Sequence, residues 1–224
     1  MDPIVFTPRL KLTLVTQAER GSPELEWLHR LRSDEKVTTW SIWGQSKTLE
    51  DTEKVVKGVL PTGQAGDNTY RVSYAVHQIL GEPQTIVQGD KQTEFIGMVS
   101  LWSCGDRSLP LPENLTIPAA AATTTLTVEL GYMFLPNSWG KGYAAESLTA
   151  VLNACKRAPM FWSPFSKVYM RAIVNDENPA SLRVMAKAGV PEKGLYEWTG
   201  DKIFLGGRWR ERDNLHIFGK YLLE

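Results

Sequence analysis

Cysteine is scarce in this 224-residue chain: Cys104 and Cys155 are the only two. They do not form a C-x-x-C pair, so a disulfide scaffold is excluded. The three histidines, His29, His77 and His216, are widely scattered; no metal-ligand spacing is visible and no metal is expected. An excess of one charge is also missing. Lys+Arg and Asp+Glu number 25 each, which removes a general basic footprint for nucleic acid or an anionic membrane. No apolar run approaches the roughly 20 residues that cross a bilayer, and MDPIVFTPRLKL lacks the basic-then-apolar order of a signal peptide. These absences predict a soluble, reducing, cytoplasmic setting with no nucleic-acid or membrane partner. What the chain does have is 42% hydrophobic residues against 22% charged, enough to bury a full core. It also has eight tryptophans, by default large core or interface residues.

Periodicity orders the chain. RLKLTLV (9–15) alternates like a half-buried strand, with Leu10, Leu12 and Leu14 on one side. Ser22-Pro23-Glu24 opens a helix through Leu25, Leu28 and Leu31. A second short helix is expected from Ser33 toward Trp40, and a third from Thr48 to about Leu60-Pro61. Tyr70–Leu80 and Phe95–Cys104 read as strands, with GEPQTIVQGDKQ as a long hairpin loop between them. DRSLPLPENLTIPAAAATTT reads as an irregular excursion without a domain boundary.

After Leu126 the pattern sharpens. LTVELGYMFL is a strand stopped by Pro136, and YAAESLTAVLNACKRA a helix with the stripe Leu148, Val151, Leu152 and Cys155. KVYMRAIV is a strand, and NPASLRVMAKAG a helix capped by Asn178, started by Pro179 and stopped by Gly189. The tail reads as a hairpin turning near Gly206-Gly207. The whole is expected to form one α/β domain over residues 1–224.

Chemistry concentrates at the junction Glu129–Glu146. A strand feeding Asn137-Ser138-Trp139-Gly140-Lys141-Gly142-Tyr143-Ala144 and then a helix presents unpaired N–H groups at the helix start. Gly140 and Gly142 permit close backbone approach, and the helix dipole favours an anion such as a diphosphate. A plain strand-to-helix turn explains the same residues equally well. Neither the Walker loop nor the full G-x-G-x-x-G fingerprint is present.

The segment ELGYMFL (129–135), the loop ending GKGYA (140–144) and the helix NPASLRVMAKAG (178–189) together resemble the GNAT superfamily of acyl-CoA-dependent N-acetyltransferases. The opening RLKL, the run WGKGYAAESL and the NPAS helix are similar to the Rim-type subgroup, which acetylates N-termini of ribosomal proteins. The resemblance implies a mixed, mostly antiparallel sheet with helices on both faces, acetyl-CoA as co-substrate and a primary amine as acceptor. That acceptor is a protein or peptide N-terminus or a small-molecule amine, and the chain a monomer or homodimer. Met133, Phe134 and Leu135 would line the pantetheine arm, and a backbone amide near Met133 would polarise the thioester carbonyl. Trp139, Gly140, Lys141, Gly142, Tyr143 and Ala144 would cradle the diphosphate, with Asn137 where the family commonly has Gln or Arg. Asn178 and Ser181 match positions near the thiol end, and they also read as a helix cap and its first turn.

Acetylating an amine requires a neutral amine, a polarised carbonyl and a protonated leaving thiol. The resemblance implies Glu129 as the candidate base, acting through water and touching the acceptor, since some histone-acetylating relatives use a glutamate at this point of the strand; an ion-paired strand carboxylate is the equal alternative. Many members of the family place a tyrosine acid in the second helix; the resemblance matches that position to Met185, leaving Asn178, Ser181 or a water to assist. Trp40 and Trp43 are candidates for the acceptor pocket, by stacking on an amine, or else are packing residues. Arg208, Arg210 and Arg212 alternate and would meet a phosphate or an acceptor carboxylate, or form a solvated, salt-bridged hairpin. A non-catalytic acyl-CoA-binding or sensing module is the second hypothesis; an interaction protein built on exposed tryptophans is the third.

Overall fold

A computed structural model describes residues 1–61, 70–81, 92–105 and 108–224. The strands are β1 (Ile4–Phe6), β2 (Leu10–Leu14), β3 (Arg71–Ile79), β4 (Thr93–Ser103), β5 (Thr125–Phe134), β6 (Lys167–Asn175), β7 (Glu192–Leu205) and β8 (Arg208–Leu223). They form one sheet in the order β1-β2-β3-β4-β5-β6-β8-β7. Among the described residues only β5 and β6 run parallel; the other pairs are antiparallel. The helices are α1 (Pro23–Arg32), α2 (Glu35–Thr38), α3 (Leu49–Val59), α4 (Tyr143–Lys156) and α5 (Pro179–Lys187). This is the expected α/β class with a mixed, mostly antiparallel sheet.

Alternation divides the apolar side chains between the two faces. On one side Val128, Leu130 and Phe134 of β5 join Leu148, Val151, Leu152 and Cys155 of α4 and Met185 of α5. On the other, Leu135 packs with Leu25, Leu28 and Leu31 of α1 and Val56 of α3, with Met133 half-buried against them. Helices therefore cover both faces, as expected.

Several local forecasts need amending. β1 was not anticipated: it is three residues long with Phe6 exposed, too short for periodicity to register. The second helix begins at Glu35 under an Asp34 cap and lasts a single turn. The Ala tract forms one 3-10 turn, Ala119–Ala121. The forecast loop between β3 and β4 lies almost wholly outside the described residues. Among the described residues, no helix is long and apolar enough to cross a membrane.

Candidate active site

The site begins with the way β5 leaves β6. Parallel pairing runs from Thr125↔Lys167 to Glu129↔Arg171. β5 then continues to Phe134 beside β4, while β6 continues to Asn175 beside β8. The two strands thus bound a wedge whose apex is the Glu129–Arg171 pair. Leu135 donates its N–H to the Ile96 carbonyl, and Cys104 donates to the Thr127 carbonyl. Both bonds join odd-numbered residues of this stretch to β4. Alternation turns the backbone groups of Leu130, Tyr132 and Phe134 the other way, into the wedge.

At the apex, the Arg171 guanidinium donates from Nε and Nη2 to Glu129 Oε2 at 3.0 and 2.8 Å. Arg171 has 6% of its side chain exposed and Glu129 22%, so the acid is the member that meets solvent. Both guanidinium bonds land on one oxygen and leave Oε1 as the atom to meet a water. The Trp102 ring lies against Gly131, where a Cβ would stand 2.6 Å from it. An isolated glycine within a strand marks such a close approach, and it places an aromatic wall next to Glu129.

The loop leading to α4 is held open rather than capped. Ser22, Asp34, Thr48 and Asn178 each place a side chain over the first turn of their helix. The N-cap of α4 is Gly142 at φ +82°, with no side-chain cap. The free amides of the helix start thus receive no capping side chain, and the left-handed turn at Gly142 suits glycine. Ahead of it, Trp139 donates its indole N–H to the Phe134 carbonyl at 2.6 Å, tying the loop to the mouth of the wedge.

The model of the acetyltransferase (GNAT) domain family matches residues 9–190. The chain belongs to the GNAT acetyltransferase family. It is 32% identical over 104 residues to the YkkB protein of Bacillus subtilis (strain 168), a match covering 45% of this chain and 56% of that protein. The match therefore spans little more than half the relative's length. The fold is similar to that of a GNAT-family acetyltransferase from Bacillus anthracis, with TM-score 0.55, 19% identity and 98% of both chains covered. It is also similar to that of spermidine N-acetyltransferase from Vibrio cholerae, solved with CoA and spermine, with TM-score 0.54, 18% identity and 94% and 95% of the chains covered. At these identities the likeness concerns the fold.

Within this GNAT chain the forecast residues fall into distinct surroundings. Glu129, Asn178 and Ser181 flank the wedge. Asn178 accepts the Ser181 amide at 3.1 Å through Oδ1, leaving its Nδ2 as a donor. Ser181 neighbours the Tyr132 hydroxyl, whose pKa burial pushes up to about 12; that hydroxyl is sealed from solvent. Met185 is fully buried. Phe134 and Leu135 are core side chains, and Met133 is half-buried, so what this stretch presents to the wedge is chiefly backbone. The N–H of Leu135, and by alternation that of Met133, is directed to β4; the amides facing the opening flank Met133 at Tyr132 and Phe134. Gly140 and Lys141 are exposed, Tyr143 is buried and Ala144 half-buried.

The proposed acceptor tryptophans differ from each other. Trp40 lies under the Arg210 guanidinium, 5.4 Å from its ring centre, and packs against Gly206. Trp43 is exposed at 62%. Arg210 is buried between Glu177 and Asp213, while Arg208 also reaches Glu177 and Arg212 pairs with Glu197. The trio is thus a salt-bridged hairpin, but with its central member buried rather than solvated. The Arg210 hydrogen bond holds the Glu177 carboxyl below its ordinary pKa.

Sequence reasoning missed Arg9, Trp102, Tyr132 and Arg171. Arg9, in the turn between β1 and β2, binds Glu146 through Nε (2.8 Å) and Nη2 (2.5 Å) and donates from Nη1 to the Lys141 carbonyl (3.0 Å). Gly131 was the available signal for Trp102; the other three depend on strand register or on contacts across the fold. Two surface grooves, of about 270 and 520 Å³, contain no residue of β5 or β6. Among the described residues, no group of three or more His, Cys, Asp or Glu is placed to hold a metal.

Proposed function

We propose that this chain, acting as one acetyltransferase domain, transfers the acetyl group of acetyl-CoA to a primary amine by direct attack in a ternary complex. The observation that carries this reading is the open wedge beside an uncapped helix start, in a chain of the GNAT family. The donor set fits the co-substrate. The amides at Gly142–Ala145 suit a diphosphate, and the exposed edge of β5 suits the amides of a pantetheine arm.

In this reading the loop 139–144 binds the diphosphate, and the backbone of residues 132–135 aligns the thioester. A wedge-facing amide of Tyr132 or Phe134 donates to the thioester carbonyl. Glu129 Oε1 takes a proton from the incoming amine through water, while Arg171 fixes the carboxylate at the apex. The amine nitrogen bonds to the acetyl carbon as the carbon–sulfur bond breaks; the proton taken from the amine returns through water to the departing sulfur, with Asn178, Ser181 or a water assisting by hydrogen bonds. Trp40 and Trp43, with Glu129, border the acceptor side. Resemblance to the Rim-type subgroup in RLKL, WGKGYAAESL and NPAS favours a protein or peptide N-terminus as acceptor, with a small amine beside it. The setting we propose is cytoplasmic, as a monomer or homodimer.

A second reading is a non-catalytic acyl-CoA-binding module: the resemblance matches Met185 to the position of the usual tyrosine, and Arg171 engages Glu129. Calorimetry with acetyl-CoA, followed by thiol release across a panel of peptides and small amines, separates the two. Binding with steady thiol release supports the transferase. Binding without release across the panel selects the sensor, and no binding at millimolar acetyl-CoA sinks both.

A further inference from the structure

Helix α4 carries an apparent contradiction at its start. Glu146 stands in its first turn with the side chain 19% exposed, close to the amides assigned to an anion. A carboxylate there is favourable for the helix dipole but repels a diphosphate approaching the same amides. The turn between β1 and β2, distant in sequence, resolves this. Thr7 donates its hydroxyl to Glu146 Oε1 at 2.6 Å, the Arg9 amide reaches the same oxygen at 3.4 Å, and the Arg9 guanidinium takes Oε2 from two nitrogens. The carboxylate is therefore held by the turn between β1 and β2 and balanced by one cation.

The same guanidinium binds the Lys141 carbonyl and lies 4.7 Å from the centre of the Tyr143 ring. It thereby spans both sides of Gly142. A Cβ on Gly142 would stand 3.5 Å from Arg9 Nη2, so the clamp touches the helix start itself. The Lys141 carbonyl turned toward Arg9 leaves the Gly142 N–H of the same trans peptide turned toward the opposite side. Three of the five N–H donors of Arg9 are used on the protein, and the role assigned to it is that of a positioning residue.

We propose that Arg9 neutralises Glu146 and fixes Lys141, and that this pairing makes the start of α4 able to take a diphosphate. The inference rests on the transferase reading only in assigning the diphosphate to this loop. It predicts a pattern that a merely structural salt bridge would not produce. Glu146→Gln keeps the shape and the Thr7 bond but releases a net positive charge at the loop, so CoA binds about threefold to tenfold more tightly. Arg9→Met leaves the carboxylate uncompensated, and CoA binds roughly tenfold or more weakly. The double variant Arg9→Met/Glu146→Gln returns to within about threefold of the unmodified protein, as expected for coupled neighbours.

Calorimetry of CoA on the four proteins tests this, with acetyl-pantetheine, which lacks the diphosphate, as the second probe. Equal acetyl-pantetheine affinity in all four supports the assignment. An Arg9→Met protein with native CoA affinity, a double variant as weak as Arg9→Met, or weaker binding by Glu146→Gln would each overturn it. If Arg9→Met does not fold, Glu146→Gln alone decides by the direction of its change. Failure of the unmodified protein to bind CoA is a different result: it removes the transferase reading, and this inference with it.

Discussion

Helix α5 opens on Asn178, whose Oδ1 accepts the Ser181 amide, with Pro179 in its first turn. Helix α4 opens on Gly142 in the left-handed region, with no side chain over its end. The two helices begin beside the same wedge between β5 and β6, yet one start is satisfied from within and the other is left for a partner. A capping side chain is worth about 1 kcal/mol over alanine but only a few tenths of a kcal/mol over glycine, so Gly142 leaves the start of α4 bare at little cost, whereas the four other α-helices among the described residues carry side-chain caps. The difference teaches where to look for binding: at the helix whose donors the fold leaves unspent, with charge around it set by Arg9 and Glu146.

The largest effect is expected at the apex between these two starts. Glu129→Gln retains an acceptor for Arg171 but removes the base, so turnover falls roughly a hundredfold while acetyl-CoA affinity stays constant. Steady-state thiol release alongside calorimetry measures both quantities, and an unchanged rate would reassign Glu129 to the ion pair alone. Next, Gly142→Asp brings a carboxylate to the start of α4 in a residue type that tolerates the left-handed backbone. It should cost about 2 kcal/mol in acetyl-CoA binding, roughly thirtyfold, with a smaller loss of stability from a side chain in the left-handed region. Equal affinity in calorimetry would erase the contrast with α5.

At α5 the expected balance is reversed. Asn178→Ala loses the cap and about 1 kcal/mol in urea unfolding, with acetyl-CoA affinity nearly unchanged. Asn178→Asp keeps the capping oxygen and removes the donor, so stability holds while turnover drops about tenfold; a loss confined to stability would make Asn178 a cap only. The smallest effect comes from His77, remote from both starts. Burial, and then the charge of Lys11, lowers its pKa below 6.5. The unfolded chain therefore binds the extra proton first, and stability present above about pH 6.5 is lost as pH falls. Denaturant melts between pH 7 and 5 should show that slope, and His77→Phe should flatten it.

The legible part of this protein was the part encoded by neighbours in sequence. The stripe Leu148, Val151, Leu152 and Cys155 placed α4, and Ser22, Thr48 and Asn178 announced their caps three residues ahead. Gly140 and Gly142 marked the turn that the backbone angles bear out. What stayed hidden depends on distance along the chain or on register. Arg9 meets Glu146 across 137 residues, and Arg171 becomes the partner of Glu129 only once β5 and β6 are aligned in parallel. Arg210 lies in a hairpin whose register shifts between Thr199 and Ile203, so simple alternation did not reveal its burial against Trp40. The direction of the backbone amides at Tyr132 and Phe134 likewise follows from pairing with β4, which no side-chain pattern reports.

In the proposed function the uncapped start of α4 holds the diphosphate of acetyl-CoA. Amide chemical shifts during a CoA titration test it most directly. The account predicts that the N–H signals of Gly140, Gly142, Tyr143 and Ala144 move together and saturate with the calorimetric affinity, accompanied by Tyr132 and Phe134. Saturable CoA binding that leaves the loop 139–144 unshifted, with changes confined to another face, would contradict it.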